Sequence, residues 1–346
     1  MWGARPSVVT APSNLELERL LVDDPDDRQP FLVYGDWLAE RDDPRAELIH
    51  LQLALELDTQ APEHLARKNA LLEQYAVAWA GPIERCPAVQ LDWKRGFVNA
   101  VFINQDVQGA RDQARLLADL LSRPAGRLFR SLIVDGMGEG RFDDLPVVLA
   151  TAKPPLLREL LVRLKWFEYD DGAYRPPLGR VEPLWALPRL DKLVLVGGNP
   201  DLGDIQAPSL VHFELRTPSD LGEAVLESLE LAYWPKLETL SVARVDHGPL
   251  VQRVLDAVEL PCLKHLAWPE AGFGDAICAD LAQSRLLPQL ETLAFSLEHL
   301  TTDGAQLLLQ HQASFAHLSE LRVDYRSSDA DVRALLSGTR FDRRSL

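Results

Sequence analysis

A short apolar phrase, L-x-x-L-x-L, returns through about three quarters of this chain, and no other feature restricts its fold as much. It reads Phe129-x-x-Leu132-x-Val134, Leu157-x-x-Leu160-x-Val162, Leu190-x-x-Leu193-x-Leu195 and Leu210-x-x-Phe213-x-Leu215. Four more copies are Leu237-x-x-Leu240-x-Val242, Leu263-x-x-Leu266-x-Trp268, Leu290-x-x-Leu293-x-Phe295 and Leu318-x-x-Leu321-x-Val323. Their middle residues lie 28, 33, 20, 27, 26, 27 and 28 positions apart, so the last five copies hold a nearly constant period. A strand sends alternate side chains to opposite faces, which points the last two apolar residues of each phrase the same way. One strand cannot bury them. Parallel stacking, with a crossover between neighbours, encloses them in a continuous core, and each fully buried Leu then contributes roughly 1.5–3 kcal/mol.

The long crossovers carry helical spacing. Gly222 to Ala232 sets Val225, Leu226, Leu229 and Leu231 on one stripe, Pro249 to Val258 does so with Val251, Val254, Leu255 and Val258, and Asp275 to Leu286 with Ile277, Cys278, Leu281 and Leu286. Thr302 or Asp303 is expected to cap a further helix whose apolar face runs through Leu307 and Leu308. The step from Leu193 to Phe213 is too short for a helix, and its Gly197-Gly198-Asn199-Pro200 run is a turn signal, so that repeat is truncated.

Phrase and period together resemble leucine-rich repeats of the longer strand-helix kind, over about residues 129–337. The resemblance implies an α/β leucine-rich-repeat solenoid with parallel strands on its concave face and helices on its convex face. The chain departs from the pattern three residues after the last apolar position. Met137, Gly198, Pro218, Val245, Ala271, Glu298 and Arg326 stand where Asn or Cys is expected, which removes the usual asparagine ladder.

A small helical domain is expected before the repeats, giving domains of 1–85 and 86–346. Asn14 caps Leu15 to Val22, a second helix runs from about Asp27 to Glu40 with Phe31, Tyr34 and Leu38 on one face, Pro44 opens a third through Leu57, and Pro62 begins a fourth ending near Gly81. Tyr34, Asp36-Trp37-Leu38, Glu40-Arg41, Asp43-Pro44-Arg45, Glu47 and Leu51-Gln52 fall in phase with the "repeat-companion" domain that accompanies such repeats in some bacteria, and the stretch is similar to it. That resemblance implies a bacterial origin and brings no reaction with it. Trp93-Lys94-Arg95-Gly96-Phe97-Val98 resembles the strand-turn-strand that follows this domain, with Val89, Leu91 and Trp93 alternating in a strand that closes the open end of the array.

Composition narrows the function. An apolar fraction of 47% with 25% charged residues is ordinary for a soluble globular protein, and no apolar run approaches the ~20 residues of a membrane span. The net charge of −16 repels nucleic-acid backbones and anionic membranes and favours a basic or neutral protein partner. Cys86, Cys262 and Cys278 have neither the number nor the spacing of a disulfide framework or zinc site and are expected reduced and mostly buried. With no secretory signal at the start, a cytoplasmic location is expected.

Catalytic readings are weak. Asp23-Asp24-Pro25-Asp26-Asp27 lacks the glycine and distal glutamate of a calcium loop and reads as a helix-capping, solvated turn. Asp36, Arg45 and Glu47 read as an ion pair fixing helix packing rather than an acid-base set. The histidines have no metal-ligand spacing; His212 and His265 occupy equivalent places two strands apart and read as solvated. Gly136-Met137-Gly138-Glu139-Gly140 reads as a repeat turn rather than a phosphate loop. No catalytic residue, cofactor or metal is expected.

The face opposite the core is the expected binding surface, and the residues flanking the last apolar position of each phrase divide it into three zones. An apolar end holds Ile133, Leu161, Val194 and Val196, a charged step holds Glu214 and Arg216, and a small-residue floor runs from Ser241 to Ser296. The apolar end is either a contact strip or a patch covered by the N-terminal domain. The expected function is a non-enzymatic scaffold or adaptor that anchors a protein on the apolar end, with Arg163, Glu214, Arg216, Arg322 and Asp324 setting register. An inhibitor or immunity protein for a basic enzyme is the narrower alternative. An enzyme with a site around Asp36, Trp37 and Arg45 is the alternative from another class.

Overall fold

The computed structural model describes residues 13–59, 61–104, 113–136, 142, 144–165, 167–169, 172–174, 176–244, 260–325 and 330–342. The chain forms two compact units, Met1–Ile133 with Thr151–Leu157, and Val134–Ala150 with Arg158–Leu346.

The first unit carries helices α1 (Leu15–Asp23), α2 (Gln29–Ala39), α3 (Arg45–Leu55), α4 (Pro62–Ala80) and α5 (Gln113–Ser122), with an antiparallel hairpin of β1 (Val89–Lys94) and β2 (Phe97–Asn104). Asn14 Oδ1 accepts from the Glu16 and Leu17 amides at 3.1 and 3.2 Å, the cap its sequence predicts. Phe31, Tyr34 and Leu38 bury one face of α2 against Leu21, Ile49 and Phe97. Gly96 turns the hairpin at φ +77°, and a Cβ there would lie 2.3 Å from Ile49 Cγ1, so both backbone and space demand glycine. Gln52 of α3 holds the same turn, donating to the Trp93 carbonyl and accepting from the Gly96 amide, each at 2.7 Å.

Arg95 organises this unit. Its side chain is almost wholly buried, lies 4.9 Å over the Phe31 ring, and donates to Glu56 at 2.7 and 3.0 Å and to the carbonyls of Pro25, Asp26 and Asp27 at 3.2, 3.1 and 3.2 Å. The acidic run is therefore a capped turn: Asp24 Oδ1 accepts from the Asp26 and Asp27 amides, and Asp26 pairs with Arg130 at 2.8 Å. Asp36, Arg45 and Glu47 do not pair with one another. Arg45 buries against Asp43 at 3.0 Å, Glu47 meets Arg67 at 2.6 Å, and Asp36 sits 3.4 Å from His50. The Arg45–Asp43 pair is local, two residues apart, whereas the Glu47–Arg67 pair joins α3 to α4 across twenty residues.

β3 (Ser131–Gly136) contains the division between the units. β4 (Glu159–Leu164), β5 (Lys192–Val196), β6 (His212–Arg216), β7 (Thr239–Val242), β8 (His265–Gly274), β9 (Thr292–His299) and β10 (Glu320–Tyr325) follow, each parallel to the next. The fold is mixed α/β with a large, mostly parallel sheet. The second and third apolar residues of all eight phrases fall on β3–β10 and are at most 5% exposed, while the first stands two residues before each strand.

Two main-chain devices repeat with the phrases. The carbonyls of Arg158, Asp191, Val211, Glu238, Lys264 and Glu291 each accept two amides from the next strand's start, at 2.7–3.5 Å. Before the strands, the amides of Leu157, Leu210, Leu237, Leu263, Leu290 and Leu318 close tight turns onto the carbonyl three residues back. Proline stands second in the first five of these turns, at 155, 208, 235, 261 and 288, where its fixed φ suits a type I turn.

α6 (Asp144–Ala152), α7 (Glu223–Glu230), α8 (Ala276–Gln283), α9 (Thr302–Gln310) and α10 (Ala330–Leu336) occupy crossovers and the end of the array. α7 buries Val225, Leu226 and Leu229 but ends before Leu231, which is 76% exposed rather than on the apolar stripe. α9 is capped by Thr301, one residue earlier than expected, and Leu308 is buried. Gly198–Asp201 is a short strand paired with Pro177–Arg180, not a simple turn, and residues 197–211 contain no helix. The expected Pro249–Val258 helix lies outside the described residues, as do Met137–Gly140. Cys278 alone among the cysteines is buried; Cys86 is half-buried and Cys262 exposed.

Replacing Arg95 by Met removes two hydrogen bonds from Glu56, which keeps only its 3.6 Å contact with Arg28, and this donor from three carbonyls, and is expected to lower unfolding free energy by about 2–4 kcal/mol in urea titrations. The hydrogen bonds and charge of Arg95 hold the Glu56 carboxyl below its usual range. A depressed carboxyl contributes stability above its unfolded pKa that is lost as pH falls through the folded value. The wild type is expected to lose more stability than Arg95→Met between about pH 5 and pH 3, as urea midpoints across that window will read.

Candidate functional site

Because β4–β10 run parallel in one register, the residues turned away from the phrase core align in rows across the strands, roughly 4.8 Å apart. One row is Leu161, Val194, Glu214, Ser241, Ala267, Ala294 and Arg322. A second, one pleat earlier, is Glu159, Lys192, His212, Thr239, His265, Thr292 and Glu320. Arg163, Val196 and Arg216 share a third, and Ser296 pairs with Asp324 at the other end.

Of the two expectations for the apolar end, the open contact strip is not met. Leu161 is 7% and Val194 5% exposed, while Val196 is half-buried, so these residues form no open strip. Ile133, also half-buried, belongs to the first unit. Alternation identifies the face on which a side chain lies, not what shields it there. The charged step is present: Arg216 Nε contacts Glu214 Oε1 at 2.7 Å, and His212 Nε2 lies 3.9 Å from the same carboxylate, too far for a hydrogen bond. Together the His212 ring and the Arg216 guanidinium hold Glu214 below the ordinary carboxylate range against the opposing effect of burial. Arg163, Arg216 and Arg322 are exposed and Asp324 is half-buried.

Over the small-residue floor the face forms a depression of about 160 Å³ whose lining includes Thr239, His265, Ala267, Thr292, Ala294, Glu320 and Arg322. His265 Nδ1 and Thr292 Oγ1 are 3.0 Å apart, and Arg322 places Nε and Nη2 on Glu320 Oε1 at 2.7 and 2.6 Å. Sequence reasoning placed His212 and His265 correctly on one face. It missed Thr239, Thr292 and Glu320, which the same period of two assigns once the residue before each middle apolar position is also counted.

The first unit has a more open cleft of about 600 Å³, lined by Asp42, Asp43, Glu47, His50 and His64 among others. Its Asp43 and Glu47 carboxylates are engaged by arginines. Burial pushes the Cys278 thiol up to about 12, so its nucleophilic thiolate is scarce at neutral pH. Among the described residues, no group of three or more His, Cys, Asp or Glu is placed to hold a metal, and no helix is long and apolar enough to cross a membrane.

No protein-family model matches the chain, and no curated protein matches it. Among solved structures it is similar to the crystal structure of a Bacteroides fragilis protein determined as a structural-genomics target, with a TM-score of 0.54 and 19% identity over 83% of this chain and 85% of that one. At that identity the likeness is one of fold.

Proposed function

We propose that this chain is a bacterial, cytoplasmic leucine-rich-repeat solenoid with a repeat-companion helical domain, and that it holds a protein partner on the concave face of its parallel strands without catalysing a reaction. The observation that carries this reading is the in-register floor of Ser241, Ala267 and Ala294, bordered on the preceding row by the hydrogen-bonding side chains Thr239, His265 and Thr292. Small residues let another chain approach closely, and fixed polar groups along one border supply register. Glu214, Arg216, Arg322, Asp324 and Arg163 extend that polar border. Leu161 and Val194 lie on the same row but are shielded, and contribute as packed neighbours of the charged step rather than as an exposed anchor.

Affinity capture from the native cell tests this, with Ala267→Arg and Ser241→Arg as variants that block the floor while urea titration checks folding. The partner is expected on the wild-type chain and absent from folded variants. A partner retained by both overturns the reading. Leu161→Asp and Val194→Asp are expected to act differently, each lowering unfolding free energy by about 2–4 kcal/mol because a charge enters a buried position.

A further inference from the structure

We infer that the depression across β7–β10 is a socket for one basic side chain of the partner, arginine in preference to lysine; this rests on the partner-binding reading above. Its volume of about 160 Å³ is well below the roughly 300–1,000 Å³ of ordinary small-molecule sites, so it admits a single side chain. The methyl groups of Ala267 and Ala294 suit an aliphatic stem, while the hydroxyls of Thr239 and Thr292 and the Glu320 carboxylate accept hydrogen bonds from a cationic tip. Arg322 now engages one oxygen of Glu320. That pair is about half exposed, with side chains 49% and 45% accessible, and pairs so exposed hold weakly enough for an incoming guanidinium to share or displace the contact.

Charge complementarity selects a basic occupant. The second unit carries 32 Asp and Glu against 20 Lys and Arg, and its field draws a basic segment toward it. Position along the face follows from local charge. On the outward rows Arg163, Lys192 and Arg216 outnumber Glu159 and Glu214 at the β4–β6 end, whereas Glu320 and Asp324 outnumber Arg322 at the socket end. A planar guanidinium matches carboxylate and hydroxyl acceptors in a fixed fork, which favours arginine over the point charge of lysine.

Fluorescence anisotropy of the full chain with labelled arginine-glycine, lysine-glycine and glutamate-glycine peptides of equal length tests the socket. The arginine peptide is expected to bind tightest, and Glu320→Gln and Ala294→Leu each to weaken it about tenfold, a 1.4 kcal/mol difference. Glu223→Gln on α7 removes the same charge away from the socket and is expected to stay within about twofold. Thr292→Val serves as the second socket variant if Ala294→Leu fails to fold. Equal weakening by Glu223→Gln, no effect of the folded socket variants, or tighter binding of the glutamate peptide overturns the proposal. A native partner lost from Ala267→Arg yet indifferent to Glu320→Gln overturns the socket and leaves the partner reading standing. A partner kept by Ala267→Arg, Ser241→Arg and Glu320→Gln overturns both.

Discussion

The carbonyl at the start of each strand, accepting two amides from the next repeat, is the constraint on which the second unit depends. Arg158 binds Asp191 and Lys192, Asp191 binds Val211 and His212, and the pattern passes through Val211, Glu238 and Lys264 to Glu291. A side-chain ladder would require the same residue type at each step. A main-chain ladder requires only that the chain return to the same place, which explains how Asp, Val, Glu and Lys occupy equivalent positions without breaking the stack. It also frees the crossovers. Steps of 33 and 20 residues meet at β5 as well as the steps of 26–28 do elsewhere, because register is set at the strand start and not by what lies between.

Shared register turns a local alternation into a surface. Once Leu193, Phe213 and Leu240 are buried in phase, the residues beside them fall into rows, so three small residues on β7, β8 and β9 make a floor that none makes alone. Aromatic rings pack below them: Trp185, Phe213 and Trp234 stand 6.2 and 5.5 Å apart by ring centroid, stiffening the support under the charged step. Polar groups above such a support are held where they are, and Glu214 shows it, caught between Arg216 and His212 with its carboxyl kept ionised despite partial burial.

Features carried by period and backbone chemistry were legible in the sequence. The eight strands, the caps and prolines of the first four helices, and the glycine of the hairpin all follow from spacing and from what Asn14, Pro44, Pro62 and Gly96 do to a backbone. The recurrent proline in five of the turns before the strands is a turn signal of the same kind. What escaped was decided in three dimensions. What shields Leu161 and Val194, the pairing of Glu47 with Arg67 twenty residues on, and the reach of Arg95 to carbonyls some seventy residues earlier depend on which segments meet, and hydrophobic period contains no information about that.

The two units are therefore held by different physics, with different consequences for function. In the first, one buried guanidinium satisfies three carbonyls and a carboxylate, so a single side chain concentrates specificity and a local change is felt throughout the helical core. In the second, the same main-chain contacts recur from β4 to β10, so each strand's register is set by its neighbour. The exposed outward side chains take no part in the phrase core or the strand-start carbonyls, whereas Leu161 and Val194 on the same row are shielded. Thr239, Thr292 and Glu320 stand outside that core, while Leu240, Leu293 and Leu321 beside them are buried in it.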